Sequence, residues 1–272
     1  MRILLTGGAG YVGSACLRGL LDRGHQPIAF DNLSRGNAPA VPDGLLGIGD
    51  IEDKQSMVAA IRKHGIEAVM HFATVASVPE SIRDPEQYWR TNVLGTKNVL
   101  NALCETGVKR IVLSSTAAVY GFDARMPVEE SGWIAPQTSY GTSKLAAEHL
   151  VRDYSKAHGL GYAILRYFNA AGADPDGEFG EHRAEESHLI PLVLRAALGG
   201  GRCASSARTG TRRTAPHPRL RSHRGPDARP STGPGGHRTR PRRYLQRRVQ
   251  PGDQRVGNTG VLRTGGRQTH PS

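Results

Sequence analysis

The chain has 272 residues, with 36 Lys and Arg against 24 Asp and Glu and a formal net charge of +12, and this length allows one large domain or two modest ones. The basic excess is confined to one end, since residues 1–201 hold 19 basic and 22 acidic side chains whereas residues 202–272 hold 17 and 2. The three cysteines share no short spacing, which argues against a metal or disulfide framework and predicts a reducing, cytoplasmic setting. No apolar run reaches the roughly 20 residues that a membrane-spanning helix needs, so we expect no membrane partner.

Apolar runs of strand length alternate with longer amphipathic stretches, which predicts a parallel sheet with helices on both faces. Strands are predicted at 2–6, 26–31, 44–49, 68–72, 110–114 and 162–168. Helices are predicted near 11–23, 53–64, 85–106, 139–158 and 187–198. The crossovers are long enough for right-handed connections, so we expect a doubly wound, Rossmann-type α/β fold.

The first predicted strand runs into a glycine-rich turn, Thr-Gly-Gly-Ala-Gly-Tyr-Val-Gly, and a helix begins at once. Gly7, Gly10 and Gly13 permit a tight turn, close approach of the backbone to a pyrophosphate, and close packing of the helix on the strand. The start of the helix, at Tyr11 and Val12, would face the phosphates with free N–H groups and its positive dipole end. This turn therefore predicts a dinucleotide site.

An acidic residue ends the second strand, Asp31, and Asn32 follows it. Asp31 lies about 20 residues beyond the glycines, where a carboxylate can accept from the adenosine ribose hydroxyls. A carboxylate there favours NAD over NADP, because it would repel a 2′-phosphate. The alternative is a structural turn followed by a surface aspartate.

Tyr140 and Lys144 are four residues apart on a predicted helix and therefore share one face of it. The pKa of a free phenol is near 10. A neighbouring ammonium, together with a positive nicotinamide ring, would favour the phenolate and lower that pKa. We therefore predict that Tyr140 is a general base tuned by Lys144; the alternative is an ordinary amphipathic helix face.

Three features resemble the extended short-chain dehydrogenase/reductase family, in its NAD-dependent epimerase/dehydratase branch. They are the glycine turn with its G-x-x-G-x-x-G spacing, the acid after the second strand and the Tyr-x-x-x-Lys helix. The resemblance is nearly continuous over residues 1–201. It implies that NAD is also contacted after the third and fourth strands, on the following helix and after the sixth strand. The residues concerned are Asp50, Ile51, Phe72, Ala73, Asn92 and Tyr167, with Tyr140 and Lys144 contacting NAD as well.

The segment around Thr116 resembles the strand that carries the family's catalytic hydroxyl. The resemblance implies that Thr116 hydrogen-bonds the sugar O4 and Tyr140. Dehydratases of the family carry an Asp-Glu pair just after this hydroxyl, whereas Ala117 and Ala118 stand here. Without an acid and a base to eliminate water, hydride taken from C4 can only return, so the resemblance implies an epimerase.

The segments 165–172 and 187–191 resemble the family's substrate-binding motifs, which implies that Asn169, His188 and Leu189 bind the nucleotide sugar. The function implied is NAD-dependent 4-epimerisation of a UDP-hexose (UDP-glucose and UDP-galactose) through a 4-keto intermediate. A 4-epimerase of UDP-glucuronate, UDP-arabinose or a UDP-N-acetylhexosamine stays open. The resemblance also implies a homodimer formed by the helices near 85–106 and 139–158, and no metal.

Residues 202–272 differ from the body: they hold 17 Arg and no Lys, 10 Gly and 8 Pro, and only six of Leu, Ile, Val, Met, Phe and Trp. So little apolar surface cannot offset the entropy of ordering, and we expect a disordered tail. An alternative is a non-catalytic NAD-binding module with a nucleic-acid-binding tail. The tail lacks RGG and RS repeats and mixes no Lys with its Arg, so we expect no specific nucleic-acid partner.

GC-rich coding DNA read out of frame gives this kind of composition. Read two bases later, the codons of residues 202–216 can encode RVFGTDWHTPDGT; read one base later, those of 216–231 can encode PIRDYVHIEDLTRAH. Both strings resemble segments that come next in the family, so we interpret the tail as the product of frame disruptions near codons 202 and 215. Because those segments would build the uridine-diphosphate pocket, we expect the chain as written to bind NAD poorly or aggregate and to have little activity.

Overall fold

The structure is a computed structural model, and it describes residues 1–122, 124, 126–174, 177, 180–181, 186 and 188–198. Its centre is one sheet of six parallel strands in the order β3-β2-β1-β4-β5-β6. The strands are β1 (Arg2–Thr6), β2 (Gln26–Asp31), β3 (Leu46–Ile48), β4 (Ala68–His71), β5 (Arg110–Thr116) and β6 (Gly161–Tyr167). The doubly wound α/β fold predicted from the sequence is confirmed, and the tail at 202–272 lies outside the described residues.

Seven α-helices are found among the described residues: α1 (Tyr11–Leu21), α2 (Lys54–His64), α3 (Val78–Arg83), α4 (Pro85–Tyr88), α5 (Thr96–Thr106), α6 (Ser139–His158) and α7 (Leu189–Ala197). A π-helix, Trp89–Gly95, joins α4 to α5, and 3₁₀ turns cover Ala38–Ala40 and Ala117–Tyr120. In this part of the chain no helix is long and apolar enough to cross a bilayer.

Most observed bounds lie within two residues of the predicted ones, α3 was not predicted, and the differences include those at the third strand, the fifth strand and the helix over 85–106. The third strand is limited to Leu46–Ile48, and the fifth continues two residues further, through Thr116. The single helix predicted over 85–106 is divided into α4, the π-helix and α5. Hydrophobic periodicity does not show that division, because a widened turn inside a helical run leaves the spacing of its apolar residues nearly unchanged.

Two apolar clusters cover the two faces of the sheet. The larger lies under α2, α5 and α6 and includes Leu4, Val69 and Leu113 from the central strands. The smaller lies under α1 and includes Leu5, Ala29 and Phe72. Local signals end the helices: α2 begins where Asp53 accepts from two backbone N–H groups and ends at Gly65, whose φ is +56°.

The strand order reverses between β1 and β4, which are neighbours in the sheet although β2 and β3 separate them in sequence. Thr6, the last residue of β1, lies opposite Phe30 on one side and His71 on the other. Helices leave such a point on opposite faces, so a crevice opens beyond the carboxyl ends of the strands. This crevice is where the sequence predicts the cofactor.

Candidate active site

The glycine-rich turn after β1 has no room for side chains. A Cβ on Gly7, whose φ is +70°, would lie 2.5 Å from the Ala73 backbone nitrogen, and one on Gly13 would collide with the Gly7 carbonyl oxygen. Gly8 is equally restricted, since its Cβ would lie 2.6 Å from the Ala29 Cβ. The glycine spacing used for the prediction does not include Gly8. Its position directly after Gly7 in the turn was the sequence feature that could have identified it.

The first turn of α1 fits an anion. Its N-cap is Gly10, which offers no capping side chain, and no acidic residue stands in the first turn. The backbone N–H groups at the start of a helix then lack intrahelical acceptors and carry the positive end of the helix dipole. Tyr11 and Val12 stand at this start, as the sequence predicts for a pyrophosphate site.

Asp31 is almost fully buried at the end of β2 and binds two backbone groups. Its Oδ2 accepts from the Ala9 N–H at 3.0 Å and its Oδ1 from the Leu33 N–H at 2.8 Å. The carboxylate therefore fixes the glycine-rich turn against β2, a role that the sequence reading did not include. Each oxygen has a second lone pair, so binding of a ribose hydroxyl remains a prediction compatible with this geometry.

The predicted NAD contacts that follow β2 and β3 lie together. The Asn32 amide donates to the Asp50 carboxylate at 2.8 Å, which links the chain after β2 to the chain after β3. Ile51 is buried against the π-helix, where a Cβ on Gly95 would lie 2.5 Å from its Cδ1. These contacts position the segment beside the crevice.

Thr116 and Tyr140 meet at the carboxyl end of β5, and Lys144 follows Tyr140 by one turn on the same helix. Thr116 is the last residue of the strand, and its Oγ1 accepts from the Ala118 N–H at 3.1 Å. Since that bond uses only a lone pair, its proton is free for the hydrogen bond between Thr116 and the Tyr140 phenol. Tyr140 and Lys144 lie in the first turns of α6, which begins where Thr138 accepts from the Gly141 N–H.

The expected lowering of the Tyr140 pKa does not hold for the protein by itself. Burial raises the pKa of this phenol, and the hydrogen bond from Thr116 opposes the rise only in part. Burial also lowers the pKa of Lys144 to about 8, against the attraction of Glu148. In the protein by itself, burial therefore dominates the pKa of Tyr140, and the position of Lys144 on the same helix face does not reverse it.

Asn92 connects the π-helix to the catalytic helix. Its Oδ1 accepts from the Thr74 hydroxyl and the Val75 N–H, and its amide donates to the Val75 carbonyl and the Ser143 hydroxyl, all within 3.1 Å. The Lys144 Nζ lies 3.4 Å from the same Thr74 hydroxyl. The wider π-helical turn at Asn92 is typical of functional sites, and it places one fully bonded side chain between β4 and α6.

The residues at the end of β4 are buried as well. His71 Nε2 lies 3.0 Å from the Thr96 hydroxyl, which itself donates to a backbone carbonyl, so Nε2 carries the proton. Nδ1 then accepts from Thr6 at 2.6 Å. Burial first, and the nearby Lys144 second, lower the pKa of His71 to about 3. Phe72 is part of the smaller core cluster, and the Ala73 nitrogen lies against Gly7.

A buried ionic network behind Lys144 was not predicted. Glu148 is completely buried, and its two oxygens accept from Ser115 at 2.5 Å, from Arg152 at 2.8 Å and from two nitrogens of Arg166 at 2.8 and 2.7 Å. Arg166 also donates to the Tyr120 hydroxyl at 2.8 Å. A glutamate one turn after Lys144, on the apolar face of α6, was the sequence signal for it.

The predicted substrate residues beyond β6 are not brought to Tyr140. Asn169 and Leu189 are exposed, and His188 forms an ion pair with Glu181 at 2.5 Å. No hydrogen bond between described residues joins these side chains to the catalytic ones. Tyr167, the last residue of β6 and a predicted NAD contact, is partly buried, and burial raises its pKa to about 12.

A cluster of potential metal ligands lies in the same segment. One ligand atom from each of Glu181, Glu186 and His188 lies within 4.8 Å of the others. Glu186 accepts from the His188 N–H at 2.8 Å, and Glu181 holds the imidazole. The cluster is therefore a set of mutual hydrogen bonds, and the sequence-based expectation of no metal stays a prediction.

Comparisons with known proteins agree with this site. The sequence profile described as "NAD dependent epimerase/dehydratase family" matches residues 3–213. The chain belongs to this family. The UDP-glucose 4-epimerase of Halalkalibacterium halodurans is 48% identical to this family member over 199 residues, which are 73% of this chain and 60% of that protein.

Two solved structures are similar to this member of the epimerase/dehydratase family. The UDP-glucose 4-epimerase from Brucella ovis in complex with NAD has a TM-score of 0.71 at 44% identity, over 73% of this chain and 61% of that chain. The UDP-glucose 4-epimerase from Stenotrophomonas maltophila, with bound NAD and formylated UDP-arabinopyranose, has a TM-score of 0.70 at 36% identity, over 73% and 62%. The chain thus spans about three fifths of the length of these relatives.

Proposed function

We propose that residues 1–201 are the NAD-binding and catalytic part of a UDP-hexose 4-epimerase that interconverts UDP-glucose and UDP-galactose. The observation that carries the proposal is the hydrogen bond between Thr116, at the carboxyl end of β5, and Tyr140 on α6, with the buried Lys144 one helical turn further on. The names and bound ligands of the relatives support it.

The residues of the crevice fit NAD. The turn at Gly7 and Gly13 admits backbone only, and the uncapped start of α1 suits a pyrophosphate. Asp31 would accept from the ribose, and Lys144 lies deep in the crevice beside Thr74. When bound, NAD supplies an acceptor for the C4 hydride and returns that hydride to the opposite face of the sugar, so it should be held tightly and not consumed.

The protein's own side chains transfer one proton, that of the sugar O4 hydroxyl. Tyr140, as the phenolate, takes the proton from the sugar O4, and Thr116 holds both oxygens through its hydroxyl. The hydrogen bond from Thr116 favours this phenolate, in opposition to burial, and we assign the charge of Lys144, one turn away on α6, the same role. The 4-keto sugar then turns over while its nucleotide remains bound, a task that we assign to Asn169, His188 and Leu189. Tyr140 finally returns the proton.

Dehydration is disfavoured by the turn that follows Thr116. Ala117 and Ala118 begin the 3₁₀ turn next to the catalytic hydroxyl, and a methyl group can neither give nor take a proton. Elimination of water needs an acid and a base at the sugar, so epimerisation fits these positions better.

We further propose that residues 202–272 are an out-of-frame tail, separate from the catalytic part. Their composition and the family-like strings in the other two frames support this. Sequencing the genomic DNA across codons 195–220 tests it: one or two missing or extra bases would establish the disruption. An unchanged reading would make the tail genuine.

The function is tested by comparing the chain as written with a chain in which both frames are restored. We expect the restored chain to retain NAD and to turn over UDP-galactose, and the chain as written to do both poorly. Tyr140→Phe in the restored chain should lower kcat about 10²- to 10⁴-fold with NAD retained. Tyr154→Phe is the matched control, since that phenol hydrogen-bonds Asn101 on α5. Normal turnover in Tyr140→Phe would refute the assignment.

The same assay separates the other sugar substrates. Turnover of UDP-N-acetylgalactosamine above that of UDP-galactose would replace the UDP-hexose assignment by the N-acetylated one.

We also propose a homodimer through the helices of 85–106 and 139–158, supported by the exposure of Trp89 and Leu94 on the π-helix. Sedimentation of the chain and of Leu94→Asp tests it: we expect a dimer that the variant converts to monomer.

A further inference from the structure

A completely buried carboxylate lies one helical turn behind Lys144, and the proton transfer described above does not use it. Glu148 stands at i+4 from Lys144 on α6, so the two side chains share one face of the helix. Both are buried, and neither lies at the surface where water could screen their interaction. Buried charges one helical turn apart are weakly screened, and the Glu148 carboxylate raises the pKa of Lys144 against the effect of burial.

The partners of Glu148 connect three elements of the site. Ser115, the neighbour of Thr116 on β5, donates to its Oε1. Arg166, the neighbour of Tyr167 on β6, donates to both oxygens, and Arg152 donates from the next turn of α6. One carboxylate thus ties the catalytic helix to the two strands whose ends hold Thr116 and Tyr167.

We propose that Glu148 is a positioning residue that keeps Lys144 charged and fixes α6 against the ends of β5 and β6. The catalytic meaning of this role rests on the function proposed above. Glu148 itself touches no reacting atom. Its carboxylate is the counter-charge that Lys144 needs in a position where burial favours the neutral amine.

The charged and titratable groups around Lys144 are consistent with this role. On α6 they are Glu148 and Tyr140, and on β4 His71, which stays neutral because burial lowers its pKa to about 3. Glu148 works against the burial that lowers the pKa of Lys144 to about 8. Burial alone would raise the pKa of Glu148, but the hydrogen bonds from Arg166, Ser115 and Arg152 hold it below its ordinary value, so its charge persists.

The test reads the charge of Lys144 directly, without turnover. The chain has six lysines, so ¹³C-labelled lysine side chains can be titrated by NMR, and Lys144→Arg identifies the signal. In Glu148→Gln, which keeps the shape and an acceptor, we expect the pKa of Lys144 to fall by about one unit. A purely structural role predicts the reverse, because a loosened, hydrated site would move it up toward 10.5. An unchanged or higher pKa overturns the proposal.

A second variant covers the case in which Glu148→Gln does not fold. Arg152 is about one-third exposed, so Arg152→Gln should be tolerated, and loss of this cation beside Glu148 should raise the pKa of Lys144. No rise would contradict the proposal. Glu105→Gln is the matched control, since that carboxylate pairs with Lys54 and Arg62 on the surface, and we expect it to leave Lys144 unchanged.

Turnover of the frame-restored chain supplies an independent readout. There, Glu148→Gln should lower kcat about tenfold with KM unchanged, because Glu148 contacts no sugar. A rise in KM as large as the fall in kcat would overturn the positioning role. Absence of turnover in the unsubstituted restored chain would contradict the proposed epimerase, while the lysine titration would still decide the role of Glu148.

Discussion

The cofactor side and the segment after β6 differ in how completely their side chains are bonded. On the cofactor side, Asn92 and Lys144 are no more than 3% exposed, and Asn92 has four hydrogen-bond partners. After β6, Phe168 and Leu189 are 62% and 61% exposed. The difference shows that the geometry around Thr116 and Tyr140 depends on contacts made within the first 167 residues, whereas the segment after β6 lacks covering contacts among the described residues.

The boundary between the two regions is a cleft beside α1. It has a volume of about 620 Å³ and lies between α1 and residues 170–174. The Tyr11 hydroxyl crosses it to donate to the Gly172 carbonyl at 2.6 Å. Four experiments can break or sharpen the comparison between the regions.

The largest difference should come from equal truncations in the two regions. Leu100 of α5 is completely buried and Leu194 of α7 is 56% exposed. Leu100→Ala should lower the free energy of unfolding by about 2–5 kcal/mol, from lost burial and the cavity left behind. Leu194→Ala should change it by less than about 0.5 kcal/mol. Urea denaturation measures both, and similar losses would mean that α7 is packed as firmly as α5.

A pair of glycines isolates the tightness of the cofactor turn. Gly7 and Gly24 have φ of +70° and +72°, but a Cβ on Gly24 would meet nothing within 4 Å. Gly24→Ala should cost about 1–2 kcal/mol of unfolding free energy from the left-handed backbone alone. Gly7→Ala should cost about 1–3 kcal/mol more, because its Cβ meets the backbone of Ala73. Equal losses in thermal denaturation would contradict the close approach seen here.

Acid should weaken the cofactor side through His71. Because the pKa of His71 falls from 6.5 to about 3 on folding, the unfolded chain binds a proton that the folded chain does not between these values. The free energy of unfolding is therefore unaffected by His71 above pH 6.5. As the pH falls from 6.5 toward 3, His71 lowers it by at most about 1.4 kcal/mol per pH unit. Denaturation at several pH values measures the slope.

One variant and one control test whether His71 causes this pH dependence. His71→Asn should reduce the slope between pH 6.5 and 3, because the buried titrating group is gone. Leu100→Ala is destabilised for an unrelated reason and should keep it. An undiminished slope in His71→Asn would assign the acid sensitivity to other groups.

The smallest effect is expected at the boundary itself. Tyr11→Phe removes the bond to Gly172, which is worth about 1 kcal/mol. Amide hydrogen exchange in residues 170–174 should then be about fivefold faster, with the global unfolding free energy within about 0.5 kcal/mol. Tyr162→Phe, on the exposed side of β6, is the control and should leave that exchange unchanged. Unaltered exchange in Tyr11→Phe would show that other contacts hold the segment.

The sequence predicts the sheet and the catalytic helix well because their signals are local. Alternating apolar runs identify all six strands, and glycines at fixed spacing identify the turn. The Tyr140–Lys144 pair follows from helical periodicity, and the helix found at 139–158 has the predicted bounds. Each of these features needs only neighbours within a few residues along the chain.

The features that escaped prediction depend on distant partners. The π-helical turn at Asn92 is fixed by Val75 and Ser143, which are 17 and 51 residues away. The charge of Glu148 is held by Ser115 and Arg166, at separations of 33 and 18 residues. The rise in the pKa of Tyr140 in the protein by itself escaped prediction for the same reason, because burial is a property of the packed fold and no spacing reveals it.

The strand order has a consequence for synthesis on the ribosome. β1 acquires its second neighbour only when β4 has been made, and the last strand of the sheet ends at Tyr167. At about 5–20 residues per second, roughly 2–7 seconds pass before codon 202 is reached. Mixed α/β domains fold in milliseconds to seconds. The six-stranded sheet can thus assemble during translation, while later residues are still being added.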